Sequence, residues 1–135
     1  MHFVQNFLTF VALINFSNGG LNELCELIDF YSKKEFFHCF AYDEYGCWCG
    51  PGGSGKPVDK ADGCCKRHDH CYDRILSKKE CNPYIAQYSF DKDKCLNENG
   101  TCLREICECD QAISKCLSKQ NYNRKFYGYR LLHKC

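Results

Sequence analysis

Three side chains of this sequence have the types needed for acid–base chemistry, and they lie close to cysteines that could fix their positions. His68 lies four residues after Cys64 and three before Cys71, so on a helix it shares a face with both cysteines. Asp69 is about 100° further round the same helix, and Asp110 lies in a second cysteine-rich stretch. A carboxylate near a histidine can orient the ring, fix its tautomer and stabilise the imidazolium. The pattern therefore fits the base and orienting group of a hydrolase, although a purely structural His–Asp pair would use the same residues.

Four cysteines indicate how these side chains could be brought together. Cys64 and Cys71 are seven residues apart, as are Cys109 and Cys116, and seven residues make about two turns of a helix. In two antiparallel helices the numbers of paired residues have a constant sum, which the pairs Cys64–Cys116 and Cys71–Cys109 satisfy together. This register would place the histidine near the level of the second aspartate. Parallel helices would reverse the pairing, so the spacing favours one arrangement without proving it.

The composition sets the class of protein that these helices belong to. The chain has 135 residues, 14 of them cysteine, and this density is typical of a disulfide-bonded protein of an oxidising compartment. The even count is consistent with seven bridges and no free thiol, but it leaves the pairing open. The length fits one domain. A formal net charge of +1 argues against nucleic acid as a partner.

The first 19 residues have the features of a removable leader. They contain no acidic residue, lysine, arginine or cysteine, and residues 7–14 are apolar at all but one position. This run is too short to span a bilayer and is typical of a signal-peptide core. Small residues at Ser17 and Gly19 predict cleavage after Gly19, which leaves a secreted domain over 20–135. The alternative, an uncleaved apolar helix, is disfavoured because two polar residues interrupt its period.

Periodicity and capping residues predict a mainly α, disulfide-rich fold. Apolar residues recur at helical spacing from Leu21 onward, which predicts an N-terminal helix. Asp59, with Asp62 three residues later in a box-like pair, predicts the start of a helix that runs to about Ser77. Thr101 predicts the start of a second long helix, which runs to about Ser118. A short β-hairpin is predicted between these helices over 88–99, ending at the Asn99-Gly100 turn.

A glycine-rich loop offers a second kind of chemistry. Residues 46–55 contain five glycines and a proline, which excludes a helix or a central strand. The sequence has no Gly-x-Ser-x-Gly elbow and its cysteines are expected in bridges, so a histidine base would act on water. The developing oxyanion then needs an electrophile, and Ca²⁺ accepts carbonyl and carboxylate oxygens. The loop backbone and Asp69 could supply both, although a tight disulfide turn would also need these glycines. The EF-hand pattern is absent, so the calcium site would be of another kind.

Two motifs resemble those of a known family. Tyr-Gly-Cys-Trp-Cys-Gly-Pro-Gly-Gly at 45–53, followed by Cys-Cys-Lys-Arg-His-Asp-His-Cys-Tyr at 64–72, closely resembles secreted phospholipase A2, and Cys-Glu-Cys-Asp at 107–110 resembles its second signature. The resemblance covers residues 21–135, nearly all of the predicted mature chain. It implies a fold with an N-terminal helix, a calcium-binding loop, two long antiparallel helices cross-linked by disulfides, and a short β-hairpin.

The resemblance also implies roles for individual residues. His68 would be the general base that deprotonates water, Asp110 would orient it, and Tyr72 and Tyr88 would hydrogen-bond that aspartate. The reaction would be hydrolysis of the sn-2 ester of glycerophospholipids at a membrane or micelle surface, giving a lysophospholipid and a free fatty acid. The enzyme would be secreted, peripheral rather than transmembrane, and monomeric. The N-terminal helix would line the acyl channel, although its apolar residues could equally be core: Leu21, Leu24, Leu27 and Ile28.

The implied cofactor is one Ca²⁺ ion. Asp69 would chelate it with both carboxylate oxygens, and the backbone carbonyls of Trp48, Gly50 and Gly52 would complete the protein ligands. The backbone N–H of Gly50 would help the ion to stabilise the oxyanion. The family usually has tyrosine where Trp48 stands, and Pro51 is a further departure, but neither change removes a ligand atom. Many non-catalytic relatives lose the aspartate beside the histidine, so the presence of Asp69 favours an active enzyme.

The resemblance implies six disulfides, and two cysteines remain for a seventh bridge that the family pattern does not include. The latter are Cys25 and Cys39, which we expect to pair with each other. The six implied pairs are Cys47–Cys135, Cys49–Cys65, Cys64–Cys116, Cys71–Cys109, Cys81–Cys102 and Cys95–Cys107.

The C-terminal part of the chain suggests a rival function. From residue 111 onward it carries six lysines and arginines and no acidic residue, with aromatic and leucine side chains between them. Such a segment could bind anionic lipid or another polyanion without turnover, or it could be a solvated face. A zinc module built on His68 and His70 is disfavoured because no ligand spacing fits. The sequon at Asn99 predicts a glycosylation site at a turn.

Overall fold

A computed structural model describes residues 19–33, 38–133 and 135. The predicted signal peptide over 1–19 falls outside these residues except for Gly19, so that prediction stays a prediction. The elements in chain order are α1 (Gly19–Ser32), α2 (His38–Ala41), α3 (Lys60–Lys78), β1 (Phe90–Asp91), β2 (Lys94–Cys95), α4 (Cys102–Ser118), a 3₁₀ helix (Arg124–Phe126) and α5 (Tyr129–Leu132).

The two long helices begin at the capping residues that the sequence predicts. The Asp59 side chain accepts a hydrogen bond from the Asp62 backbone N–H at 2.8 Å, and Thr101 accepts one from the Arg104 N–H at 3.3 Å. Each bond satisfies a backbone donor that the first turn of a helix leaves without an intrahelical partner. At the other end of α3, Lys79 adopts a left-handed conformation that stops the helix. Helices α3 and α4 therefore have the predicted positions within one residue.

Disulfides fix the antiparallel register of α3 and α4. Cys64 is bonded to Cys116 and Cys71 to Cys109, with Cα–Cα separations of 5.8 and 5.9 Å. These are the two pairs favoured by the constant sum of residue numbers. The structure holds all 14 cysteines in bridges. The other five pairs are those expected above: Cys25–Cys39, Cys47–Cys135, Cys49–Cys65, Cys81–Cys102 and Cys95–Cys107.

The β-hairpin is shorter than predicted and turns at a different place. Phe90 pairs with Cys95 and Asp91 with Lys94, so the turn lies at residues 92–93, where Lys92 has a φ of +55°. The prediction that the hairpin ends at Asn99-Gly100 is wrong. Gly100 has a positive φ because it leads the chain into the cap of α4 rather than into a strand.

Helix α1 joins two buried clusters. Ile28 packs in one cluster, which includes Tyr42, Tyr45 and Leu117, whereas the neighbouring Leu27 packs in a second cluster that includes Tyr72, Tyr88 and Ile106. Leu27 and Ile28 are thus core residues, with 0% and 4% of their surface exposed, while Leu21 is 48% exposed. Leu24 is intermediate and packs against the first cluster.

Within residues 19–33, 38–133 and 135, no helix is both long and apolar enough to cross a lipid bilayer.

Candidate active site

A buried histidine–aspartate pair links the two stapled helices. His68 on α3 places its Nε2 atom 2.7 Å from Oδ1 of Asp110 on α4. The histidine is 8% exposed and the aspartate is fully buried. The disulfide rungs on either side fix the spacing of the two helices, so this contact follows from the register rather than from flexible side chains.

Two tyrosines complete the surroundings of the Asp110 carboxylate. The Tyr72 hydroxyl donates to Oδ1 at 2.7 Å, and the Tyr88 hydroxyl donates to Oδ2 at 2.6 Å. Burial and the neighbouring Asp110 charge raise the pKa of both tyrosines above its ordinary value, so both remain protonated donors. The carboxylate is thus held by three groups, which satisfies a charge that would otherwise be costly to bury.

This geometry sets the chemistry available to His68. When Nε2–H donates to Asp110, the lone pair of the neutral ring is on Nδ1. Nδ1 can then take a proton, and the buried carboxylate stabilises the imidazolium that forms. The structure therefore brings together the four side chains proposed for the proton-transfer network: His68, Asp110, Tyr72 and Tyr88.

Asp69, the next residue on α3, lies beside the glycine-rich loop rather than in the contact between His68 and Asp110. Burial raises the pKa of its carboxyl from 3.8 to about 6, although the nearby His68, His70 and Arg130 partly offset this rise. A carboxylate that is desolvated in this way gains from a bound cation. The virtual Cβ of a residue at Gly53 would come within 2.9 Å of an Asp69 oxygen, so the loop runs directly beside this side chain.

The glycine-rich loop is irregular, as predicted, and two of its glycines need left-handed backbone. Gly50 has a φ of +86° and Gly52 one of +68°, a region that residues with a side chain rarely adopt. Because these left-handed glycines alternate with Cys49 and Pro51, the direction of the peptide groups changes along this part of the loop. The disulfides Cys47–Cys135 and Cys49–Cys65 tie the loop to the C-terminus and to α3.

Asp62 anchors the loop, a role that the sequence analysis missed. Its fully buried carboxylate accepts hydrogen bonds from the backbone N–H groups of Cys47 at 2.9 Å, Trp48 at 2.8 Å and Val58 at 2.9 Å. Any side chain at Gly46 would overlap this carboxylate. Asp62 was expected only as part of a capping box, because backbone donors leave no signature in a sequence.

Arg130 is a second loop contact that the sequence analysis missed. Its Nη1 donates to the carbonyls of Pro51, at 3.0 Å, and Gly52, and its Nη2 donates to the carbonyl of Cys49 at 3.0 Å. In the sequence, Arg130 stands out only as one of the six cations of the C-terminal segment. A signal was present, since the expected Cys47–Cys135 bridge brings that segment to the loop.

The Trp48 side chain packs across the loop, and its backbone carbonyl is one of the predicted calcium ligands. Its indole Nε1 donates to the Gly55 carbonyl at 3.1 Å. The ring contacts the His70 ring edge-on, with centroids 5.5 Å apart, and Lys66 Nζ lies 5.1 Å from the indole centroid. The indole therefore helps to hold the loop through contacts with Gly55, His70 and Lys66.

The donor set at this position fits a hard cation. Asp69 supplies carboxylate oxygens, and the adjacent loop already holds a positively charged guanidinium on its carbonyls. In the described part of the chain, no three His, Cys, Asp or Glu side chains converge as a metal cluster. The donors beside Asp69 are carboxylate and backbone carbonyl oxygens, and such oxygens suit Ca²⁺ better than a metal that prefers nitrogen or sulfur.

The predicted glycosylation site and part of the C-terminal segment are exposed. Asn99 is exposed in the turn before α4, where Thr101 of the same sequon caps the helix. The C-terminal segment exposes Tyr127, Leu131 and Leu132 by 59%, 74% and 83%.

The fold and the site together define a disulfide-bonded, mainly α protein with a buried His–Asp pair beside a carbonyl-rich loop. A family model described as phospholipase A2 matches residues 21–127. The basic phospholipase A2 DsM-b1/DsM-b1' of Daboia siamensis is 44% identical over 118 residues, which cover 84% of this chain and 80% of that protein. The acidic phospholipase A2 Drk-a1 of Daboia russelii is 38% identical over 120 residues, which cover 85% and 83% of the two chains. The chain belongs to the phospholipase A2 family and is a phospholipase A2 enzyme.

Proposed function

We propose that this protein hydrolyses the sn-2 ester of glycerophospholipids in a calcium-dependent reaction, releasing a lysophospholipid and a free fatty acid. The observation that carries the proposal is the buried contact of 2.7 Å between His68 Nε2 and Asp110 Oδ1, beside the partly buried Asp69. Relatives that share 38% to 44% of their residues with this chain are named phospholipase A2. Ester hydrolysis by an activated water would use all three side chains, His68, Asp110 and Asp69.

In this reaction His68 acts as the general base. Its Nδ1 takes a proton from a water molecule as that water attacks the ester carbonyl. Asp110 keeps the proton of Nε2 in place and stabilises the imidazolium, while Tyr72 and Tyr88 hold Asp110. His68 then returns the proton to the leaving alkoxide, so that the ring is neutral again at the end of a turnover.

The loop and Asp69 serve the carbonyl side of the same reaction. Asp69 and the carbonyls of Trp48, Gly50 and Gly52 would hold Ca²⁺, which supplies a positive charge for the developing oxyanion. The backbone N–H of Gly50 donates a further hydrogen bond to that oxygen. The positive φ values at Gly50 and Gly52 support this assignment, since they let adjacent peptide units turn their carbonyls and N–H groups to one side.

The substrate would be presented by a phospholipid aggregate or a membrane surface. The enzyme would bind such a surface peripherally, as a secreted monomer whose 14 cysteines are stable in an oxidising compartment. Exposed Leu21 on α1 and exposed Leu131 and Leu132 on α5 support an interfacial role, because large exposed apolar side chains gain from contact with lipid.

A second candidate function is non-catalytic binding of anionic lipid or another polyanion by the basic C-terminal segment. The exposed leucines next to Arg130, with Arg124 and Lys125 nearby, favour it. The substitution His68→Gln separates the two functions, because it removes the base but leaves this surface unchanged. Binding to anionic vesicles by this variant, without hydrolysis, is expected if both functions exist.

Phospholipids that carry different isotopic labels in the two acyl chains test the main proposal. With calcium, wild-type protein should release the sn-2 label alone from vesicles, and His68→Gln should release neither label. Release of the sn-1 label, or equal release by both proteins, would contradict the proposed reaction. Vesicles of zwitterionic and of anionic lipid would be compared in the same assay.

A further inference from the structure

A cation of this chain already binds the loop proposed to hold calcium. The guanidinium of Arg130, on α5, contacts three of the four carbonyls over residues 49–52: those of Cys49, Pro51 and Gly52. Arg130 lies beyond residues 21–127, the range that matches the family model. The contact is therefore a feature of this chain's own C-terminal segment.

The contact overlaps the proposed calcium ligands. Arg130 Nη1 donates to the Gly52 carbonyl, which is one of the three carbonyls assigned to the ion. Nη2 lies 3.4 Å from where a Cβ on Gly50 would stand, so the guanidinium extends along the segment that carries two of those ligands. A carbonyl oxygen that is bonded to a guanidinium offers less electron density to a metal ion, and the two positive charges repel each other.

The loop has several anchors besides Arg130. Two disulfides hold the loop at Cys47 and Cys49, and the buried Asp62 carboxylate binds the N–H groups of Cys47 and Trp48. The Ser54 N–H also donates to the Cys47 carbonyl at 3.3 Å. Removal of the guanidinium should leave the carbonyls in place but free of a competing cation.

We propose that Arg130 is an internal competitor for the calcium site, and that its release of the Gly52 carbonyl is part of calcium binding. The residue thereby sets the calcium affinity of the enzyme. This inference rests on the proposed function, because it requires that Ca²⁺ bind at Asp69 and the loop.

A calcium titration of Arg130→Gln tests the proposal without measuring activity. Trp48 is the one tryptophan of the chain, and its N–H groups bond to Asp62 and Gly55, so its fluorescence reports on the loop. Isothermal titration calorimetry with calcium chloride gives an independent dissociation constant. Because a charge-assisted hydrogen bond contributes enough for about a tenfold change, Arg130→Gln should bind Ca²⁺ about tenfold more tightly than wild type.

Arg124→Gln is the matched control. Arg124 is an exposed arginine of the same segment, so its loss changes the net charge equally but leaves the loop carbonyls bonded to Arg130. Salt screens an exposed charge of this kind, and the control should change the dissociation constant by less than about twofold. Arg130→Lys retains the positive charge but loses the planar fork, so its affinity should fall between wild type and Arg130→Gln.

Equal or weaker calcium binding by Arg130→Gln, relative to Arg124→Gln, would overturn the inference and leave the proposed function standing. Absence of calcium binding in wild type and in Arg130→Gln alike would refute the calcium site and the inference with it. Binding by Arg130→Gln when wild type binds undetectably would support competition in its strongest form.

Discussion

The two halves of the site, the His68–Asp110 pair and the loop of residues 46–55, are held by different means. The pair consists of side chains on two helices whose register is fixed by disulfide rungs. The loop instead presents backbone carbonyls, and side chains from distant parts of the chain, Asp62 and Arg130, hold its N–H and C=O groups. The first half is therefore preorganised for proton transfer, while the second contains the Arg130 contact with which we propose that Ca²⁺ competes.

The comparison suggests that the two halves can be disabled separately. Loss of a group on the helices should stop chemistry and spare calcium binding. Loss of a group at the loop should weaken calcium binding and leave the His68–Asp110 contact intact. Each variant below is expected to affect one half far more than the other.

The largest effect is expected for His68→Gln. Removal of the general base should lower hydrolysis of phospholipid vesicles by about 10³-fold or more, because glutamine cannot take the proton of the attacking water. The loop is untouched, so the calcium dissociation constant from calorimetry should equal that of wild type. A matching loss of calcium affinity would show that the two halves are not independent.

Asp69→Asn should have the second-largest effect, and it should impair calcium binding while leaving the His68–Asp110 pair intact. The amide lacks the charge that attracts Ca²⁺, so calcium binding should become undetectable and turnover should fall by about 100-fold or more. Disulfides and helices should be retained, as measured by far-ultraviolet circular dichroism. Wild-type turnover by this variant in calcium-free buffer would contradict the assigned role of Asp69.

Asp62→Asn should have a smaller effect that is centred on the loop. The carboxylate accepts three backbone hydrogen bonds, and an amide would turn a donor toward at least one of those N–H groups. We expect a loss of about 1–3 kcal/mol in the free energy of unfolding and weaker calcium binding, measured by urea denaturation and Trp48 fluorescence. Unchanged calcium affinity would mean that the disulfides alone hold the loop.

The smallest effect is the pH dependence of stability in calcium-free protein. Burial raises the pKa of folded Asp69 from 3.8 to about 6, so the folded state favours the protonated carboxyl. Its contribution to stability is then present below about pH 4 and is lost as the pH rises through about 6. Wild type should lose stability relative to Asp69→Asn across this range in urea denaturation with chelator. Parallel pH profiles for the two proteins would contradict the raised pKa.

The helical half of the site could be predicted from the sequence, whereas the loop half could be predicted only in part. Heptad spacing of cysteines and the caps Asp59 and Thr101 are local signals, and they place His68 opposite Asp110. The hairpin turn was misplaced because Asn99-Gly100 has the composition of a turn but leads into a helix cap.

The contacts of the loop escaped prediction because they join backbone atoms to remote side chains. The three N–H groups bound by Asp62 have no residue type of their own, so only its burial reveals the role. Arg130 carries no spacing signal either, although its position five residues before Cys135 places it near Cys47 once that bridge is known.

The most direct test of the account is one calcium titration of wild-type protein read in two ways, by release of sn-2 fatty acid from vesicles and by Trp48 fluorescence. The account predicts that both signals rise over the same calcium concentrations, and that excess chelator abolishes turnover while the disulfide-bonded fold persists. Undiminished fatty-acid release in excess chelator would contradict it.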